Sequence, residues 1–445
     1  MARTTFSGLA SGLDSASLIQ SMLSVAKQPM TRLQTKQTTN NTMSKKFTDI
    51  KAKMTALQTA AKALDTRSEA MVNKATSSND KVATVTTAGG GTLGSFDITV
   101  TQPAKAQRNY SDGFASSTQA GLFTTGDLTI QVGTGDPVTL NVTASDTLST
   151  VASKINAANL GVTAGLVYDG SQYRLQVSAN KTGTDNTVAF SNPAAVGLGL
   201  TNVANRFQAA QNAVLKVDNI DVVSQTNTIS SAIPGVTVSV LDAGTSKVTI
   251  DRDPDGLKTK LEAFTKAYND VMTAMNTEFA SNGTQKAAGS LSGDSSLRSA
   301  QSDLRQLMTQ SLEALNSSFP SIGAMGISVS RDGTLSVDSE KLKTAVNKDY
   351  ESVTSVLSGL GSEKGLMAQV VDKLDPYVRA DGVITNRINN LATRNRDIDS
   401  QVSRLQVRLD KYEEQLQRQF ASLESLMGGL QSQSAALTSI INSAS

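Results

Sequence analysis

From Ile384 to Ile440 apolar side chains return every three and then four residues. With Ile388 as position a of a heptad, the a row reads Ile388, Asn395, Val402, Leu409, Leu416, Leu423, Leu430 and Leu437. The d row reads Ile384, Leu391, Ile398, Leu405, Tyr412, Gln419, Leu426, Gln433 and Ile440. This period buries one narrow stripe of a long helix against a partner helix. At 1.5 Å per residue the segment spans roughly 85 Å, so its partner must be long as well. The other end of the chain supplies one: Leu33, Asn40, Phe47, Met54 and Ala61 form one row, and Met43, Ile50, Leu57, Leu64 and Met71 the other. Two seams of one period at opposite ends of a chain pair most simply with each other. The expected fold is α+β and multidomain, a long antiparallel coiled-coil leg made by both termini with β-rich head domains inserted between them.

Along the chain the period changes accordingly. Residues 1 to 32 are poor in charge, and Pro29 interrupts or opens a helix there because it lacks a backbone donor. A helix is expected from about Thr31 to Asn73. Beyond it Val82, Val85, Phe96, Ile98 and Val100 alternate with polar residues as strands do. A strand pair follows at 128–132 and 138–142, then a short helix opened by Ser145 or Asp146 with Leu148, Val151 and Ile155 on its buried face. Strands at 162–168 and 173–177 flank Asp169-Gly170, a dipeptide suited to tight hairpins. Val214–Val217 and Ile220–Val223 turn about Asp218-Asn219, and Val236–Leu241 and Val248–Ile250 complete the β region. The helical period resumes after Gly256, with a hairpin at 327–329 and 335–337 turned at Asp332-Gly333. The expected domains are 1–42 and 43–75 in the leg, 76–106 with 209–253 as a β-rich head, 107–208 inserted in it, 254–380 helical with a hairpin, and 381–445 as the terminal coiled-coil helix.

Composition narrows the function. The 445 residues carry 41 Lys and Arg against 39 Asp and Glu, so no net field draws nucleic acid or an anionic membrane. There is no Cys, His or Trp, which removes disulfides, thiolate chemistry and the commonest general base and metal ligand. An enzyme is not expected, and neither is a cofactor. The N-terminus lacks the apolar core of a secretory signal peptide, and no run is long enough to span a bilayer. Both extremities are nearly uncharged: only Asp14 lies between Arg3 and Lys27, and nothing charged follows Glu424. An apolar stripe without charges to keep it solvated points to order gained by packing into an assembly; packing within the chain's own coiled coil is the alternative.

Three patterns bear on chemistry. Asp251, Asp253, Asp255, Gly256 and Glu262 satisfy EF-hand spacing. A strand leads into them, however, and Lys258 stands where such loops carry an apolar residue, so a solvated turn capping the next helix is expected and calcium is the alternative. Arg387, Arg394, Arg396, Arg404 and Arg408, balanced by Asp397, Asp399, Asp410 and Glu413, read as the solvated flanks of a coiled coil, with an anionic ligand as the alternative. Asn395 at an a position fixes register at some cost in stability, and Asn395→Leu is expected to stabilise the leg while loosening its pairing.

Three stretches carry a resemblance. SGLASGLDSASLIQSMLSVAKQPMTRLQ at the N-terminus resembles the bacterial flagellar filament cap (hook-associated protein 2) family. MGISVSRDGTLSVDSEKL at 325–342 and the run from DGVITNRINNL to LQSQSAAL at 381–437 look like its C-terminal region. TLSTVASKINAANLGVTAGLVYDGSQYRLQVSANKTG at 147–183 is similar to a motif shared by flagellins and hook-associated proteins. The resemblance implies a structural cap at the distal tip of the extracellular filament. Such a cap is exported unfolded through the flagellar type III apparatus with an export chaperone and without a cleaved signal peptide. It forms a small homo-oligomeric ring, commonly a pentamer, and promotes flagellin polymerisation. It further implies that Phe6, Leu9, Leu13 and Leu18 with Leu423, Leu426, Leu430 and Leu437 face flagellin. A surface adhesin, binding host mucin or glycan through the head, is the alternative.

Overall fold

A computed structural model describes residues 14–87, 89–192, 196–280, 291–312 and 317–443. Two compact units emerge: one takes residues up to Asp65, Lys260–Ala345 and Glu351 onward, the other Thr66–Thr259 with Val346–Tyr350. The chain is α+β and multidomain, with long helices in the first unit and several sheets in the second.

Helix α1 runs over Ser15–Lys62, starting earlier and ending sooner than the period predicts. Its start is set by Asp14, whose carboxylate accepts Ser17 N–H at 3.0 Å. Pro29 lies inside the helix; the lost backbone bond falls where the flanking side chains are largely exposed, so water can satisfy the freed carbonyl. Thr31, Thr35, Thr38 and Thr42 each donate their hydroxyl to the carbonyl four residues back, which lets a threonine-rich surface remain helical. At the other end Lys260 Nζ donates to Ala63 O at 3.2 Å.

After the short helix α2 (Arg67–Ala70) come strands β1 (Asn73–Ser77), β2 (Ala83–Thr87), β3 (Gly94–Gln102) and β4 (Arg108–Tyr110). The strand β1 occupies residues expected to end the first helix: Asn73 to Ser77 alternate buried and exposed, and a partner strand far along the chain claims their backbone. Then follow β5 (Gly126–Val132), β6 (Val138–Val142), α3 (Leu148–Ala157), β7 (Val162–Tyr168), β8 (Tyr173–Ala179), β9 (Val188–Ser191) and β10 (Arg206–Gln208). The next five strands are β11 (Ala213–Val217), β12 (Ile220–Ser224), β13 (Thr228–Ile233), β14 (Val236–Val240) and β15 (Gly244–Arg252).

Two separate cores organise these strands. Sheets β1-β15-β3-β11-β12 and β13-β14-β2 enclose Ile98, Val100, Leu215, Val238, Val248 and Ile250, so strands from both sides of residues 107–208 share one core. Sheets β10-β4-β8-β7 and β6-β5-β9 pack with α3 around Leu128, Ile130, Leu148, Val151, Ile155 and Leu175. The N-cap of α3 is Thr147 rather than Ser145 or Asp146; it forms a capping box with Thr150. Asp146 instead binds Lys154 at 2.6 Å and Thr143 N–H at 2.8 Å. Where the two β parts meet, Thr182 Oγ1 donates to Gln225 O at 2.6 Å and Asn212 Oδ1 accepts Thr184 N–H at 2.8 Å.

The remaining elements are α4 (Pro254–Phe279), α5 (Ser295–Thr309), the hairpin β16 (Ile327–Val329) and β17 (Leu335–Val337), α6 (Ser339–Lys348), α7 (Tyr350–Ser358), the two-residue strands β18 (Gly359–Leu360) and β19 (Glu363–Lys364), α8 (Leu366–Val378) and α9 (Val383–Ser443). In the first unit Asn269 of α4 clips the hairpin by exchanging two hydrogen bonds with Leu335, at 2.8 and 2.6 Å. Phe47, Ile50, Met54, Leu57 and Ala61 of α1 are buried, and α1 packs on both α8 and α9.

Candidate assembly interface

The α1–α9 pair is antiparallel, because its partners count in opposite directions. Lys51 Nζ donates to Thr385 Oγ1 at 2.6 Å, Asn40 Nδ2 to Asn395 Oδ1 at 2.9 Å, and Gln37 Nε2 to Asp399 Oδ1 at 2.6 Å. Asn395 therefore meets a second seam asparagine, and its own Nδ2 donates to Asn41 Oδ1 at 2.6 Å. Asn40 stood in the N-terminal row of the sequence pattern; that the two would face each other could be seen only once the register was known.

The heptad stripe of α9 is buried at Ile384, Leu391, Ile398, Leu409 and Leu416 and then opens. Leu423 is 41% exposed, Leu426 64%, Leu430 59% and Leu437 60%. In this register Ser15 stands level with about residue 420, so the α9 seam continues beyond the described start of its partner. Met427, also exposed, lies four residues after Leu423 and belongs to the same stripe; its helical spacing is the signal that would have found it. On α1, Leu18, Met22 and Val25 are exposed at spacings of four and three, the spacing of a single helix face. Phe6, Leu9 and Leu13 lie outside the described residues. No charged side chain follows Glu424, so no charge on the last turns of α9 opposes burial of its apolar stripe against a partner.

The acidic stretch at Asp251–Glu262 is divided between elements. Asp251 belongs to β15, and Asp253 precedes α4 and accepts Gly256 N–H at 2.9 Å, which is the capping role. Among the described residues no group of three carboxylates is placed to hold a metal ion, and no helix is long and apolar enough to cross a membrane.

Known proteins share both the sequence and this architecture. The family description "Flagellar hook-associated protein 2 C-terminus" matches residues 210–432, its N-terminal counterpart matches 11–107, and "Flagellin hook IN motif" matches 127–181. The chain is 29% identical over 447 residues to the A-type flagellar hook-associated protein 2 of Pseudomonas aeruginosa, covering 92% of this chain and 91% of that protein. It is 28% identical over 438 residues to the flagellar hook-associated protein 2 of Escherichia coli strain K12, covering 91% and 93%. The crystal structure of the D1-D2-D3 domains of the flagellar cap protein FliD from Escherichia coli superposes with a TM-score of 0.61 at 29% identity, covering 78% of this chain and 99% of that one. With one family description spanning 210–432, half of the chain, the protein belongs to the flagellar hook-associated protein 2 family.

Proposed function

We propose that the chain is the structural cap at the distal end of the flagellar filament, where it promotes flagellin folding and polymerisation, prevents loss of monomers and so supports elongation and motility. It works as a homo-oligomeric ring, with five copies as the expected number, after export through the flagellar type III apparatus with a chaperone and without a cleaved signal peptide. The observation that carries this reading is the uncharged α9 stripe, Leu423, Leu426, Leu430 and Leu437, which continues the coiled-coil seam past its described partner. With Leu18 of α1, and with Phe6, Leu9 and Leu13 upstream, it forms the flagellin-facing surface. Buried apolar area drives association, and a stripe already in heptad register accepts another helix without rearrangement.

Truncation after Glu424 tests this. The truncated chain is expected to keep its melting temperature, since the removed residues bury little, and to lose only the far-UV helical signal of the removed turns, while cells carrying it shed flagellin and build no full-length filaments. Filaments of normal length would refute the reading. Native mass spectrometry with end-on images counts the copies, and a number other than five would correct the ring size alone.

A second reading, adhesion to mucin or glycan through the outer β part, draws on Phe207, 68% exposed and edge-on to Tyr110 at 5.9 Å. Aromatic faces of this kind suit sugar rings. Loss of adhesion with unchanged filament growth on removal of residues 107–208 would support it.

A further inference from the structure

The α1–α9 pair has two unlike sides. On one side Leu405, Leu409 and Tyr412 of α9 and Ala26 of α1 line a cavity of about 390 Å³ together with Arg408 and Lys411. Met22 stands one turn from Ala26, and the α1 face that starts at Leu18, Met22 and Val25 continues through Pro29 to Arg32 and Lys36, at spacings of four and three throughout. On α9, Arg404, Arg408 and Lys411 climb the same side at matching spacings. The result is a groove with an apolar floor and a basic rim.

None of Arg32, Lys36, Arg404, Arg408 or Lys411 has an ion-pair partner among the described residues. The acidic residues of this stretch of α9 lie mostly elsewhere. Asp399, Asp410 and Glu413 share a different face with Ser403, Gln406 and Gln417, and they are engaged by Gln37, Gln406 and Gln417. A coiled coil stabilised by its own flanking charges would interleave the two signs. Here they are largely segregated, with Asp397 the one acid in the Arg394-to-Lys411 row and Arg396 the one base in the row that continues from it through Asp399 to Gln417.

We propose that this side of the pair is a docking groove for a single amphipathic helix from another protein, carrying an apolar stripe flanked by Asp and Glu. The apolar stripe would cover Met22, Val25 and Tyr412, and the carboxylates would meet the unpaired guanidinium and ammonium groups on the rim. From Leu18 to Lys36 the groove is about 27 Å long, which fits a helix of about five turns. A second copy of this chain fits less well: its acidic face between Asp399 and Gln417 holds no apolar side chain and would leave the groove floor unfilled. The inference stands on the α1–α9 pair alone and does not require the cap role.

Two fluorescent synthetic helices of about 21 residues test it, identical in their leucine stripe but flanked by Glu in one and by Lys in the other. Anisotropy titration of the full chain is expected to show the Glu helix binding at least about tenfold more tightly than the Lys helix, with the difference shrinking as salt rises. Arg404→Glu, Arg408→Glu and Lys411→Glu together are expected to invert the preference, and Met22→Asp to weaken both helices. Arg404→Gln with Arg408→Gln should abolish the preference without introducing repulsion, and serves if the reversed chain does not fold. Equal affinity for the two helices, an unchanged preference in the reversed or neutralised chain, or no binding up to about 1 mM would overturn the proposal. Self-association of the chain in sedimentation without peptide uptake would also overturn it, in favour of a second copy.

Discussion

Asn395 shows how a partner changes the meaning of a residue. Read alone, an asparagine at a heptad a position costs stability, so leucine should be better. The structure sets Asn40, only 7% exposed, against it, and a buried amide left without its partner costs about 1–3 kcal/mol. Asn395→Leu is therefore expected to lower leg stability by about 1 kcal/mol in denaturant titration. Asn40→Leu combined with Asn395→Leu should recover that loss or exceed it. The double variant should also broaden spin-label distances measured across α1 and α9, because the part-buried amide pair that penalises a shifted register is gone. A single variant more stable than the parent would show that the amide pair contributes nothing.

Among the elements, α3 depends on a carboxylate that is not its cap. Burial alone would raise the Asp146 pKa, but the Lys154 ammonium, the Thr143 N–H and the Thr150 and Thr143 hydroxyls outweigh it and hold the group well below the ordinary carboxylate range. A depressed folded-state pKa means that the contribution is complete above the unfolded value of about 3.9 and is lost as pH falls toward the folded one. Asp146→Asn is expected to destabilise the outer β part by about 2 kcal/mol at neutral pH. That difference should narrow below about pH 4; a gap independent of pH would mean the loss is steric. The elements legible beforehand were those with local signals. The β11–β12 turn is one: Asp218 and Asn219 both adopt positive φ, at 46° and 67°, as the two-residue hairpin requires. The strands β1, β10 and β13 were not legible, since their pairing partners lie far along the chain or their polar residues mask the alternation.

For the whole molecule, the insertion of residues 107–208 makes a prediction about cooperativity. The strands β3 and β11 that flank it are hydrogen-bonded neighbours, with Val214 opposite Gln102, and Lys105 pairs with Gln211. A short linker from Ala106 to Ala209 would thus close a gap that is already small, and loop closure over few residues costs little. Calorimetry of the excised chain is expected to lose one unfolding transition and keep the one due to the inner sheets. Collapse of both transitions would show that the inner core needs the outer one.

The sequence by itself determined that two long helices would carry one heptad seam, that the chain between them would be β-rich, and that both extremities would lack charge. Each of these follows from periodicity or composition, which act over a few turns or a few residues. Only the tertiary structure decided which asparagines meet, where the buried seam gives way to exposed side chains after Leu416, and that Arg404, Arg408 and Lys411 of α9 gather on one side near Tyr412 and Ala26. Register and facing are relations between segments hundreds of residues apart, and they are fixed by packing that no local window contains.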